Sequence, residues 1–245
     1  MSLASLRDGY RAVVFGASGG IGAAITRVLT EDPRCALISA GARSPLEIGA
    51  KASAFTFELT DEATIAKAAE QIGAQGPIDL VIVATGMLHG AGLQPEKTMR
   101  AMDAEALARS FAINAVGPAL IAKHILPLLP RDRKSVLAAL SARVGSIGDN
   151  RSGGWHAYRA SKAALNQLIR TCAIELAIKN KQAVCVTLHP GTVDTGMSKP
   201  FAAAVRAGAL FSPDTSAQHL LQVIDDLSPK ETGGFFAWDG KAIPY

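Results

Sequence analysis

The stretch from Arg11 to Gly22 constrains the fold of this chain more than any other. Arg11-Ala-Val-Val-Phe15 is a short β-branched and aromatic run that leads directly into Gly16-Ala-Ser18-Gly19-Gly20-Ile21-Gly22. Ile21, Ile25, Val28 and Leu29 then recur at the spacing of one helix face. A strand, a glycine turn and a helix in that order predict an α/β sheet with a phosphate cradle at its first junction. Gly16 permits the tight turn, and Gly19 and Gly20 let backbone N–H groups approach a pyrophosphate. The helix N-terminus adds its partial positive charge. Gly16, Ser18, Gly19, Gly20, Ile21 and Gly22 are therefore the candidate cofactor loop. Its spacing is G-x-x-x-G-x-G, not the G-x-G-x-x-G of many dinucleotide folds.

Strand-like runs alternate with helical patterns along the rest of the chain. Ala36–Ala40 reads as the second strand, and its end is Arg43-Ser44, with no carboxylate before Glu47. An acid in this place would bind ribose hydroxyls. Arg43 and Ser44 instead suit a 2′-phosphate, which points to NADP(H); an ordinary exposed loop arginine is the alternative. Ala54–Phe57 is a third strand, with Glu58-Leu59-Thr60-Asp61 as its end and the cap of the next helix. Ile78–Val83 is apolar enough for a central parallel strand. Ala84-Thr85-Gly86 follows at its carboxyl end, where ligands of such sheets lie. Glu96 to Leu129 offers two helical patterns, and Asn114 is a polar residue inside the apolar run Phe111–Val116 that must find partners. Val136–Leu140 delivers Ser141, and Ala183–Leu188 is closed by His189-Pro190-Gly191-Thr-Val193-Asp-Thr195. His189 reads as a satisfied polar residue. Phe235–Trp238 is a last strand.

A length of 245 residues suits a single domain, 1–245, and 49% hydrophobic with only 5% aromatic residues suits a core of small and aliphatic side chains. The net charge of +4 comes without a Lys/Arg run, because Asp132 interrupts Arg131, Arg133 and Lys134. No nucleic-acid partner is expected. Cys35, Cys172 and Cys185 are scattered in apolar runs and read as buried hydrophobes of a reducing compartment, not as disulfides or metal ligands. The start of the chain does not read as a signal peptide and no segment reads as a membrane span, so the cytoplasm is the expected location.

The chemistry is expected on the stretch Trp155–Leu176. Leu165, Leu168, Ile169, Cys172 and Leu176 follow the helical period there, so Tyr158 and Lys162 stand at i and i+4 on one face. A free tyrosine titrates near ~10. A fixed ammonium a few ångströms away would favour the phenolate and draw that value toward neutrality. Such a pair can give a proton to a developing alkoxide or take one from an alcohol. An ordinary surface pair is the alternative for these two residues alone.

Taken together, these segments make the chain resemble the short-chain dehydrogenase/reductase family over nearly its whole length. Gly16–Gly22 carries that family's spacing, and Ala84-Thr85-Gly86 resembles its N-A-G element. Asn114, Tyr158 and Lys162 match its catalytic asparagine, tyrosine and lysine, and Pro190-Gly191 its loop after the sixth strand. Ser141–Ser146, Gly153–Trp155, His189–Thr195 and Trp238-Asp-Gly240 look like the C-factor-like branch. The resemblance implies a Rossmann-type, doubly wound, mostly parallel sheet of about seven strands. It implies hydride transfer between NADP(H) and a carbonyl or alcohol, and pairing through two helices into a homodimer or homotetramer. Tyr158 would be the acid/base, Lys162 would lower its pKa and hold the nicotinamide ribose, and Asn114 would organise a water relay. Glu58, Leu59, Ala84, Thr85, Gly86, Pro190, Gly191, Val193 and Thr195 would complete the cofactor site. Leu88, His89, Arg143, Trp155, His156 and Met197 would face the substrate. A binding protein for NADP(H) that acts in signalling, with little or no turnover, is the alternative.

One position departs from the family pattern. The catalytic serine is usually the second of a Ser-Ser pair, and here that place holds Ala142. We expect Ser141 to supply the hydroxyl, with Ser146 as the alternative. Alternation along the strand would turn Ser141 the wrong way unless a bulge or turn begins there.

Overall fold

The computed structural model describes residues 1–47, 49, 51–90, 92–204 and 208–245. Tyr10–Phe15 forms β1, Gly20–Glu31 α1, Cys35–Ala42 β2, Ala52–Thr56 β3, Glu62–Gly73 α2 and Leu80–Val83 β4. Ala104–Phe111 (α3) and Gly117–Ile125 (α4) precede β5, Ser135–Leu140. His156–Lys179 (α5), Ala183–His189 (β6), Thr192–Val193 (β7), Leu210–Phe211 (β8), Pro213–Asp226 (α6) and Phe235–Ala237 (β9) complete the order. Seven strands pair in parallel in the order β3-β2-β1-β4-β5-β6-β9, the Rossmann-type sheet expected. The winding reverses between β1 and β4, which opens a crevice at the strands' carboxyl ends.

The two faces of the sheet can be read from alternate residues. Ala12 and Val14, Leu80 and Ile82, Val136 and Ala138, and Val184 and Val186 pack with Ile25, Leu29, Leu220 and Ile224 of α1 and α6. Val13 and Phe15, Val81 and Val83, Leu137 and Ala139, and Cys185 pack with Ile65, Ile121 and Leu165 of α2, α4 and α5. Both faces are covered, so the central strands are apolar along most of their length and β4 throughout, as expected of parallel strands.

Sequence boundaries shift where a side chain outside the element sets the end. Asp61 caps α2, its Oδ1 accepting from the Ala63 N–H at 3.0 Å. After a short 3-10 turn at Met99–Ala101, the first pattern after Glu96 becomes an α-helix only at Ala104, where Asp103 caps it by accepting from the Ala106 N–H at 2.8 Å. Glu96 lies in the preceding loop and is buried. The α3 and α4 segments join through a π-helical turn, Ala112–Val116. The rod Ala104–Leu128, with a mean hydropathy of 1.4, has the length and mean composition of a membrane span, although Arg109, Asn114 and Lys123 interrupt its apolar run. Within the fold Ile121, Ala122 and Ile125 of this rod are buried in the core.

Candidate functional site

The glycine loop closes around its own backbone. A Cβ on Gly22 would lie 2.1 Å from the Gly16 carbonyl oxygen, and one on Gly16 would lie 3.0 Å from the Ala84 carbonyl carbon. Gly16 also has φ 88°, so a side chain there is excluded twice. Gly20 abuts the Thr195 methyl group, where a Cβ would sit at 2.7 Å, and this joins the loop after β6 to the loop after β1. Ser18, Gly19 and Gly20 are exposed, and Ile21 is half-buried. No side chain caps α1 at Gly19, and its first turn holds no acid, so the end of the helix suits an anion. Arg43 and Ser44 are exposed directly after β2. The Thr85 hydroxyl, after β4, is buried without a partner. Glu58 is exposed after β3 and binds Thr60, whereas Leu59 is buried against Gly117. These features fit a dinucleotide with an additional phosphate.

Tyr158 and Lys162 lie one turn apart on α5, both buried, and the start of that helix is fixed from elsewhere in the chain. Trp155 precedes it with φ 52°, a left-handed conformation that is uncommon for a bulky residue. Its N–H donates to the Glu96 carbonyl, and the Glu96 carboxylate accepts from the Ala157 N–H at 3.2 Å. The expected lowering of the Tyr158 pKa by Lys162 is not found in this state. The Lys162 ammonium donates to the Leu140 carbonyl at 2.8 Å and stands 5.9 Å from the Tyr158 ring centroid. Burial pushes Tyr158 up to about 12 and Lys162 down to about 8. Both shifts have one cause, the cost of holding a charge away from water.

Asn114 sits in the π-helical turn with no exposure. Its Oδ1 accepts from the Met87 N–H at 2.8 Å, and its Nδ2 donates to the Met87 carbonyl at 2.8 Å and the Ser161 hydroxyl at 3.1 Å. Both amide atoms therefore have direct protein partners. The amide holds the loop after β4 against α5. Gly86 lies within this cluster, where a Cβ would meet Lys162 Nζ at 3.3 Å and Asn114 Oδ1 at 3.4 Å.

Ser141 needs no bulge to face the site. Leu137 and Ala139 face α5, so the next residue of that parity is Ser141, and its N–H continues the ladder to the Leu188 carbonyl at 2.7 Å. The parity objection assumed the opposite phase. The Ser141 hydroxyl is buried without a partner. Ser146 is engaged elsewhere: its hydroxyl donates to the Pro244 carbonyl and accepts from the Asp149 N–H.

A cavity of about 440 Å³ joins these parts. Ser141, Tyr158, Ile21, Pro190, Gly191, Val193 and Thr195 line it, as do Leu88, Arg143, Trp155 and Met197 of the residues expected to face the substrate. His156 does not; it lines a separate cavity with Ala160 and Ala163. His89 reaches the Met197 carbonyl through Nε2 at 3.0 Å. Sequence reasoning missed Phe201, which packs on the Trp155 ring at 5.1 Å, and the role of Glu96, neither of which has a local signature. It also misjudged His189, which lines the cavity with Nδ1 unpartnered and is pushed down to about 4 by burial and by Arg143. Among the described residues no group of three or more His, Cys, Asp or Glu side chains is placed to hold a metal.

The chain is similar to known proteins over most of its length. It is 37% identical to C-signal of Myxococcus xanthus over 170 residues, 69% of this chain and 94% of that one. It is 30% identical to 1-hydroxy-2-glutathionyl-2-methyl-3-butene dehydrogenase of Rhodococcus sp. over 241 residues, 95% and 98% of the two chains. Among solved structures, the NADPH-bound carbonyl reductase from chicken fatty liver superposes with a TM-score of 0.83 at 23% identity, covering 98% of this chain and 96% of that one. Carbonyl reductase Sniffer of D. melanogaster gives 0.84 at 22%, covering 97% and 99%. Residues 11–206 match the family described as short chain dehydrogenase, and the chain belongs to that family.

Proposed function

We propose that this protein is an NADP(H)-dependent oxidoreductase acting on the carbonyl or alcohol carbon of a small or medium organic substrate. The observation that carries this reading is one cavity lined by the unpartnered Ser141 hydroxyl and Tyr158 together with Ile21 of the glycine loop, residues 190–193 and Thr195. Bound NADP(H) would supply or accept the hydride. Gly16–Gly22 would hold its pyrophosphate at the end of α1, Arg43 and Ser44 its 2′-phosphate, and Thr85 an acceptor atom nearby.

The protein's own residues then account for the proton. Ser141 donates a hydrogen bond to the carbonyl oxygen and polarises it. Tyr158 is the acid in reduction: burial keeps its hydroxyl protonated at neutral pH, and the developing alkoxide takes that proton. Lys162 is charged below about 8 and stabilises the phenolate left behind. Asn114 and Ser161 fix α5 against the loop after β4, so the two groups keep their places.

The identity to C-signal supports the C-factor-like branch, and with Ala142 in the usual serine place it keeps a signalling role with slow turnover as the second reading. Exposed Ile174 and Ile178 on α5 support pairing of two copies through that helix. The test is NADPH oxidation across a carbonyl panel by the wild type and Tyr158→Phe, with cofactor binding followed by fluorescence. Removing the hydroxyl should cost ~10²–10⁴ in rate and leave binding intact. Tight NADPH binding with no carbonyl reduced would favour the signalling reading.

A further inference from the structure

The cavity has a charged edge that neither the cofactor nor the proton chemistry uses. Its lining includes Arg143, Arg151 and Arg159 against a single carboxylate, Asp149. Asp149 accepts from Arg143 Nη1 at 3.0 Å, which compensates one of the three charges. Arg159 is held by neutral groups, donating from Nε to the Gly154 carbonyl at 2.9 Å and from Nη1 to the Val144 carbonyl at 3.3 Å. Arg151 donates from Nη1 to the carbonyl of its neighbour Asn150 at 3.1 Å and has no carboxylate partner among the described residues. Asp194, between the lining residues Val193 and Thr195, is exposed and does not itself line the cavity, and two further acids nearby are occupied. Asp239 pairs with Lys241 at 2.8 Å, and the Glu96 carboxylate accepts from the Ala157 N–H. His189 adds no charge at neutral pH.

These guanidinium groups are not accounted for by the cofactor's phosphates. The phosphate sites read above lie on the loops after β1 and β2, whereas Arg143 and Arg151 come from the segment between β5 and α5, and Arg159 from the first turn of α5. Much of the remaining lining is apolar, with Leu88, Val144, Trp155, Met197 and Phe201. A ligand that satisfies this lining has a reacting oxygen, an apolar body and an anion. We propose that the substrate is an organic carbonyl or alcohol bearing a carboxylate across a short apolar body, and that Arg151 and Arg159 select it. This rests on the oxidoreductase reading above. A planar, permanently charged fork matches a carboxylate in two hydrogen bonds, and a neutral isostere forgoes the charge.

The test compares para-acetylbenzoate with para-acetylbenzamide, which share ring and ketone and differ in charge. Wild type, Arg151→Gln and Arg159→Gln are measured at saturating NADPH. Calorimetric binding of both compounds to the NADP⁺ complex gives a readout that needs no turnover. The wild type should favour the carboxylate by about tenfold or more in kcat/KM, chiefly through KM, and in binding. That ratio should fall toward one in the variants and in high salt. Equal kcat/KM and equal binding for the two compounds would overturn the proposal, as would a preference that survives both substitutions. Reduction of both compounds without charge preference would sink this inference alone. Charge-selective binding without reduction of either would support it and sink the oxidoreductase reading.

Discussion

Asn114→Ala should be a severe stability mutation as well as a catalytic one. The amide is fully buried and makes bonds of 2.8, 2.8 and 3.1 Å to Met87 and Ser161. Truncation leaves the Met87 N–H and C=O without these partners, while Ser161 still donates to the Tyr158 carbonyl at 2.9 Å. An orphaned buried backbone group costs about 1–3 kcal/mol; Met87 is half-buried, so the lower part of that range applies, and the two give about 2–3 kcal/mol, or about 3–5 kcal/mol once the missing side-chain packing is added. With a urea slope of about 3 kcal/mol/M, the unfolding midpoint should fall by about 1–1.7 M at unchanged slope. Asn114→Asp should not rescue it, because a carboxylate keeps the acceptor for Met87 but loses both donors and buries a charge. Circular dichroism against urea, with turnover on the same samples, is the assay. A midpoint shift below about 0.3 M in a variant that has lost turnover would refute the reasoning and return Asn114 to a purely chemical role.

Ser141→Ala should lower kcat by ~10²–10³, the usual loss for one donor to a developing oxyanion, while Ser146→Ala should change kcat little. Steady-state rates on one reducible ketone decide it, and the reverse order would transfer the role to Ser146. Arg43→Ala should weaken NADPH relative to NADH by about tenfold, since a hydrogen bond to a charged group contributes about 1.5–3 kcal/mol. Fluorescence titration of both cofactors checks this, and tighter binding of NADH by the wild type would sink it.

The sheet and the glycine cradle were legible in the sequence because their determinants are local. Phe15 to Gly22 places a strand end, a turn and a helix start within a few residues, and the central strands announce themselves by unbroken apolar runs. Tyr158 and Lys162 were legible for the same reason: helical spacing alone sets them on one face. The direction of their pKa values was not, because burial is a property of the packed fold and Lys162 found the Leu140 carbonyl instead of the phenol. The phase of β5 also escaped, since alternation says that Ser141 and Leu140 face oppositely but not which of them faces α5. Glu96 was read as part of a helix because nothing near it in the chain shows that its partners are Trp155 and Ala157, some 60 residues away.

The π-helical turn at Ala112–Val116 works as an offset of register within one continuous rod. An α-helix advances about 100° per residue, so one residue accommodated in a wider turn rotates everything beyond it by roughly that angle relative to an unbroken helix. The half before the turn packs on α5, and the half after it keeps a smaller contact with α5 while sending Ile121, Ala122 and Ile125 into the layer beside α2. A single straight helix through this stretch would present a different set of residues to α2 and α5 beyond residue 116. Asn114 lies in the turn that sets this difference, and its inward aim depends on chain length here as much as on its identity. The spacing between residues 111 and 117 is thus part of the site, in the same sense as the amide it delivers.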